Sequence, residues 1–479
     1  MKIEKQHKAY IQTAFAEMEF REDFLEILNY VKPLIYGENA IPFKLQQITY
    51  YASPKRSQKA YKEFQIKKKS GGTRTICAPE NGLKAIQKTL AIVLQCVFEP
   101  HEAAKGFVMG KSIVDNAKEH TSQNYVYNLD LKDFFPSIDQ ARVWACLKLK
   151  PFNLVDENRS DEFDVRKVET GIRKLITNNN EKIQYKITGG QILFINDNEH
   201  NYENYLKRLK KEGLDYAEDI LRYIGSKENI KSLKKLMIGR VHLANIIAVI
   251  SCTEMLVERE DEGEWKQVKR NVLPQGAPTS PVFSNIICQK LDRRLSGVAK
   301  RFNLNYTRYA DDITFSSMHN VYQKEGEFLK ELNRIIKDQN FDIKESKTRL
   351  QKTGFRQEVT GLIVNDKVNV RKRYVKQIRM WLYYWEKYGY NKAESIFLRD
   401  YFFDKGHTKR AKPNFQNVLS GKLEYLKMVK GFENATYLSL NKRFEKLLGV
   451  IDPIDRVLNE WENNGLESAM EIYKTAVHE

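Results

Sequence analysis

No run of apolar residues in this sequence approaches the ~18–20 that a membrane-spanning helix needs, so no membrane span is expected. The opening residues, MKIEKQHKAYIQ, lack the apolar core of a secretory signal, and a cytoplasmic location is the expectation. Cysteine is scarce. Cys77, Cys96, Cys146, Cys252 and Cys288 are scattered, odd in number and never in CxxC spacing. That pattern argues against a disulfide framework or a zinc site and predicts reduced thiols packed as small hydrophobes. Acidic residues are in deficit too: 62 Asp and Glu against 80 Lys and Arg leave a net charge of +18. Such an excess, beside 25 tyrosines and 24 phenylalanines, points to a polyanionic partner whose bases or sugars meet aromatic rings. Charge does not separate DNA from RNA, and a basic surface unrelated to nucleic acid stays open on this ground. No nuclease, protease or toxin motif is evident.

What the sequence does contain is organised around Tyr309-Ala310-Asp311-Asp312. β-formers lie on both sides of this acidic pair, so a strand–turn–strand hairpin is predicted. Adjacent carboxylates at a hairpin tip repel each other and gain no burial, and a solvated turn would be the ordinary explanation. The stretch Tyr125–Leu131 changes the balance. It reads as a buried strand with one acid at its end, Asp130, and such an acid is costly unless it is paired or binds a metal. Two Mg²⁺ ions about 3.5–4 Å apart, as in-line nucleotidyl transfer uses, need two or three convergent carboxylates. Asp130, Asp311 and Asp312 supply that set.

Three blocks in this order, NLDLKDFFPSI, LPQGAPTSP (Leu273 to Pro281) and YADD, resemble the palm motifs of reverse transcriptases. Two more, the NAxxH-like box from Asn116 to His120 and the triplet Val359-Thr360-Gly361, resemble bacterial retron and defence-associated members. The resemblance covers roughly residues 60–150 and 237–440. It implies an α+β right-hand polymerase: fingers, a palm with an antiparallel sheet and a helical thumb, with a helical N-terminal region and an insertion between the first two palm motifs. The boundaries it suggests are 1–55 for the N-terminal region, 56–124 for the fingers and 125–150 for the first part of the palm. The insertion takes 151–236, the rest of the palm 237–365, and the thumb with a C-terminal extension 366–479.

The same resemblance implies roles for residues. Asp130, Asp311 and Asp312 would be catalytic and hold Mg²⁺, with Mn²⁺ as a substitute, and the Leu131 carbonyl would complete one site. Two β-rich runs flank Gly71-Gly72, a hairpin signal, and Lys69 and Arg74 crowd it. These cations are either a solvated face or a clamp on the incoming triphosphate. Asp133, Phe134 and Phe135 would lie around the nucleotide, with the Phe135 ring excluding a 2′-hydroxyl. Gln275 and Gly276 sit in a loop whose small residues allow close backbone approach. Lys347, with Lys344 as a competitor, is a candidate for a phosphate contact and general acid. Asn116, His120, Val359, Thr360, Gly361, Arg371 and Arg373 are the RNA-contact candidates, His120 being equally readable as a structural residue. Lys105 and Lys111 stand where many relatives carry His and Arg, and at Lys111 the bidentate fork is lost.

The implied function is RNA-directed DNA synthesis from dNTPs, on a dedicated structured non-coding RNA, in retron-type defence against phage. An RNA/DNA hybrid is the product, any effector protein is a separate chain, and a homo-oligomer is among the expected assemblies. The alternatives are a defence-associated enzyme making repetitive or protein-primed DNA, a non-catalytic RNA-binding scaffold, and an RNA-dependent RNA polymerase, against which Phe135 argues. Helical apolar spacing is also predicted over 83–98, over 240–257, over 201–225 within the insertion, and along Tyr374, Ile378, Trp381, Leu382 and Trp385.

Overall fold

In the computed structural model the described residues are 3–53, 56, 58–67, 72–155, 185–188, 191–194, 240–261, 264–405, 412–449, 461 and 465–476. The strands among them are β1 (Tyr61–Lys67), β2 (Thr73–Pro79), β3 (Tyr125–Asp130), β4 (Tyr185–Thr188), β5 (Gln191–Phe194), β6 (Thr253–Asp261), β7 (Glu264–Val272), β8 (Asn305–Tyr309), β9 (Asp312–Ser317), β10 (Arg349–Lys352), β11 (Glu358–Val359) and β12 (Leu362–Ile363). The chain divides into two compact units, Met1–Pro100 with Asp133–Gln289, and His101–Lys132 with Lys290–Glu479.

In the first unit, Leu83, Ile86, Leu90, Val93 and Leu94 recur at helical spacing and are at most 1% exposed. They make the inner face of the helix Asn81–Val97, on which the helices Lys5–Glu17 and Arg21–Tyr36 pack. The hairpin expected around Gly71-Gly72 is β1–β2, antiparallel from Tyr61↔Pro79 to Lys67↔Thr73. The expected helix over 240–257 ends early, at Ser251. From Thr253 the chain instead forms β6, paired with β7 from Thr253↔Val272 to Asp261↔Glu264. A short apolar run such as Met255–Val257 suits either state, and cross-strand pairing decided for the strand. The helical pattern expected over 201–225 lies outside the described residues, as does Lys69.

The second unit is built on a four-stranded sheet, order β10-β3-β9-β8, with every pair antiparallel. One face carries Tyr127, Phe315 and Tyr306 side by side in register. Phe315 meets Phe328 edge to face at 5.1 Å, and Phe328 belongs to the helix Glu327–Asp338. The run Lys372–Lys405 is two helices meeting at Gly389, where φ is 79° and ψ 169°. Its apolar stripe packs on the helices Phe415–Lys430 and Ala435–Leu447. Trp381 is 1% and Trp385 8% exposed, both packed on Phe415; they are core residues, as their spacing predicts. These are elements of the α+β right-hand polymerase class that the motifs imply. Among the described residues no helix is long and apolar enough to cross a membrane.

Candidate active site

In YVYNLD, Tyr125, Tyr127 and Leu129 alternate with Val126, Asn128 and Asp130, so a period of two sends the second set to the other face. Directly opposite in β9 stand Ser316, Thr314 and Asp312. This face is polar and knitted: the Thr314 hydroxyl donates to Asn128 Oδ1 at 3.0 Å. Asp130, the last residue of β3, is paired with Asp312, the first of β9. Asp311 occupies the turn between, and its carbonyl accepts the Leu131 N–H at 3.1 Å. The hairpin predicted at Tyr309–Asp312 is therefore present, and it brings both acids of the pair to the end of the strand carrying Asp130. Leu131 is buried and bridges Ile343.

Three carboxylates this close repel one another. Burial first, then the charges of Asp311 and Asp130, push the Asp312 carboxyl up to about 7, against the pull of Lys347 and Arg349. Asp312 still meets solvent, and water screens part of that repulsion. Oxygen donors with unbalanced negative charge suit a hard divalent cation, so the residues present fit the expected metal. Among the described residues no three His, Cys, Asp or Glu side chains already converge as a metal cage. The Lys347 ammonium is bound instead to Asp130 Oδ2. A metal ion bound through that oxygen would compete with this lysine.

The remaining nucleotide candidates lie in the first unit. Arg74 is exposed on β2. Asp133 is exposed with φ 43°, and Phe135 is half-buried beside Phe134 at 5.3 Å. Phe134 is 4% exposed, so its ring serves the interior and not the nucleotide. Gly276 is needed, but for a different approach than expected. At φ 125°, a Cβ on it would sit 2.8 Å from the Cys77 carbonyl oxygen, and the neighbouring Gln275 carbonyl accepts the Cys77 N–H at 2.9 Å. The loop's close contact is with β2.

Several RNA candidates are interior. His120 is 0% exposed, with Nδ1 2.7 Å from Ser316 Oγ and Nε2 2.7 Å from Thr307 Oγ1. Both ring nitrogens are spent on the sheet, so of its two readings the geometry supports the structural one. Burial, and then the Lys105 charge, lowers its pKa to about 3, which keeps the ring neutral. Asn116 is 1% exposed and Val359 0%, and neither can reach RNA from there. Thr360 (φ 48°) and Gly361 (φ 84°) form the two-residue turn joining β11 to β12, where positive φ at both positions is the requirement. The Thr360 hydroxyl reaches the Ile113 carbonyl at 3.4 Å. The two retron-like boxes thus belong to one packed joint: Ala117, Val359 and Leu362 share a core with Trp381. Arg371 is half-exposed but bound to the buried Glu358 at 2.6 Å, and Arg373 is exposed. Sequence reading missed Gly106, Asp292 and Arg308, which contact the acidic turn or its strand. The sequence offered only an Arg within the β-forming run before Tyr309, and its burial came from the structure.

Residues 224–362 match the family described as Reverse transcriptase (RNA-dependent DNA polymerase). The retron Mx162 reverse transcriptase of Myxococcus xanthus is 29% identical over 313 residues, covering 64% of this chain and 47% of that protein. The retron Mx65 enzyme of the same organism is 26% identical, covering 69% and 57%. The retron Ec86 reverse transcriptase of Escherichia coli is 25% identical, covering 67% and 68%. The chain spans about half the length of the two Myxococcus relatives. Among solved structures, telomerase from Candida albicans aligns at 11% identity and a TM-score of 0.35, covering 91% of this chain and 70% of that one, a likeness too distant to argue from.

Proposed function

We infer that this chain, which carries a reverse transcriptase domain similar to those of bacterial retron enzymes, is an RNA-directed DNA polymerase adding deoxynucleotides to a primer. The observation that carries the reading is the in-register pairing of Asp130 with Asp312, with Asp311 beside them in the turn. These three side chains would hold two divalent cations, Mg²⁺ being the expected ion and the Leu131 carbonyl a further donor. The chemistry supplied by such bound ions is Lewis-acid activation of the primer hydroxyl and neutralisation of the departing pyrophosphate. Lys347, released from Asp130, is placed by the same reading as the charge that meets the phosphates and as the proton donor. Arg74 and Gln275 would hold the nucleotide, and Phe135 would reject a ribose.

The template in this reading is a structured non-coding RNA. Arg371 and Arg373, at the start of the helical C-terminal region, meet backbone phosphates without reading sequence. Similarity to retron enzymes supports a role in defence against phage beside a separate effector chain. Primer extension on an RNA template tests the core claim. Asp311→Ala/Asp312→Ala is expected to abolish incorporation while circular dichroism and RNA affinity stay as in the wild type. Extension by the double variant overturns the assignment, and rNTP use equal to dNTP use overturns the product class. Sequencing the nucleic acid that copurifies with the chain identifies the template.

A further inference from the structure

We propose that the buried ion pair of Arg308 and Asp292, with the glycine at position 106, positions the Tyr309–Asp312 turn for metal binding, an inference that rests on reading Asp130, Asp311 and Asp312 as metal ligands. Arg308 lies on β8 and Asp292 on the helix Ser280–Arg301, and both side chains are almost fully buried, at 0% and 1%. The guanidinium binds Asp292 through Nε at 2.8 Å and Nη2 at 2.7 Å, and the Tyr306 hydroxyl donates to the same carboxylate at 2.7 Å. The remaining arm, Nη1, donates to the Ala310 carbonyl at 3.1 Å.

Ala310 is the turn residue with φ 60°, a left-handed conformation an alanine adopts only when its surroundings enforce it. Enforcement comes from two directions. Arg308 holds the carbonyl. On the other flank, residues 103–105 lie along β8: Arg308 N–H donates to the Ala103 carbonyl and Lys105 N–H to the Arg308 carbonyl, each at 2.8 Å. That brings Gly106 against the turn, where a Cβ would fall 2.6 Å from Ala310 N and 2.9 Å from the Tyr309 carbonyl carbon. A buried ion pair is a poor device for stability, since apolar residues of similar volume often do as well or better. A rigid fork that aims one donor at one carbonyl is something apolar residues cannot replace. Neither Arg308 nor Asp292 is assigned a substrate contact; both are positioning residues.

The test uses the full chain, a DNA primer on an RNA template, and Mg²⁺. Arg308→Met/Asp292→Leu removes both charges and keeps the packing. Its melting temperature is expected to be equal or higher, with kcat down on the order of 100-fold, nucleotide KM nearly unchanged, and the Mg²⁺ midpoint raised. Gly106→Ala and Tyr306→Phe, which leave the ion pair's charges in place, are expected to lower kcat in the same sense, strongly and mildly respectively. Mn²⁺ binding followed by electron paramagnetic resonance is read in parallel and is expected to weaken in the double variant and in Gly106→Ala. Wild-type kcat and Mn²⁺ affinity in the double variant overturn the proposal, as does a loss confined to melting temperature. If the double variant does not fold, wild-type kcat and Mn²⁺ affinity in Gly106→Ala overturn it equally. A wild type that binds Mn²⁺ more tightly than the variants but incorporates no nucleotide refutes the polymerase reading and leaves the positioning role standing.

Discussion

Asp130 and Asp312 stand directly opposite one another, the end of β3 against the start of β9. An antiparallel pair places such side chains about 4.5–5.5 Å apart at Cβ, so like charges there oppose folding unless a cation is supplied. Lys347 is the cation the chain itself provides, by its bond to Asp130.

The raised pKa of Asp312 sets the sign of one pH effect. Its folded value, about 7, lies above the ordinary 3.8, so the folded state favours the protonated acid. Stability from this group is full below 3.8 and is lost as pH rises to 7. In EDTA, Asp312→Asn is expected to raise the melting temperature more at pH 8 than at pH 5. An equal gain at both would contradict the assignment.

His120 acts in the opposite direction. The folded protein holds the ring neutral down to about pH 3, whereas an unfolded histidine protonates near 6.5. Its stabilising contribution is present above 6.5 and is lost as pH falls, by at most about 1.4 kcal/mol per pH unit. His120→Leu is expected to cost about 1–3 kcal/mol at pH 7.5, because the Ser316 and Thr307 hydroxyls lose a partner, and to flatten the decline between pH 6.5 and 5. Chemical denaturation across that range measures both, and RNA affinity of the folded variant should be unchanged.

In the proposed reading, Lys347, which is bound to Asp130, competes with metal for that carboxylate. Lys347→Gln is expected to lower the Mg²⁺ concentration at half-maximal rate. The same variant should slow single-turnover chemistry on the order of 100-fold, as removal of a general acid does. A variant with a raised Mg²⁺ midpoint and unaltered chemistry would show that this lysine has neither role.

Phe135 is half-buried, so part of its ring stays exposed, as the proposed contact with a nucleotide sugar needs. Phe135→Ala is expected to raise the ratio of rNTP to dNTP incorporation about 10- to 200-fold, the range a single missing pocket group commands. Competition between labelled nucleotides reads the ratio directly, and no change would make Phe135 a packing residue only.

The Tyr309–Asp312 hairpin, the strand ending in Asp130, the Gly71-Gly72 hairpin and the apolar stripe through Trp381 were determined by sequence alone. Each rests on a local period of two or 3.6, or on turn chemistry within a few residues, and such patterns survive in a single chain. Tertiary structure decided what depends on partners far away. His120 is matched to Thr307 and Ser316 across 187 and 196 residues, and no local pattern announces that its ring is consumed inside. The same holds for Arg308 with Asp292, for Gly106 under Ala310, and for Met255–Val257, where an apolar run suited to a helix was claimed by β7. The sequence supplied three acids, and the pairing of β3 with β9 put them together, because register is a property of two strands and cannot be written in either one.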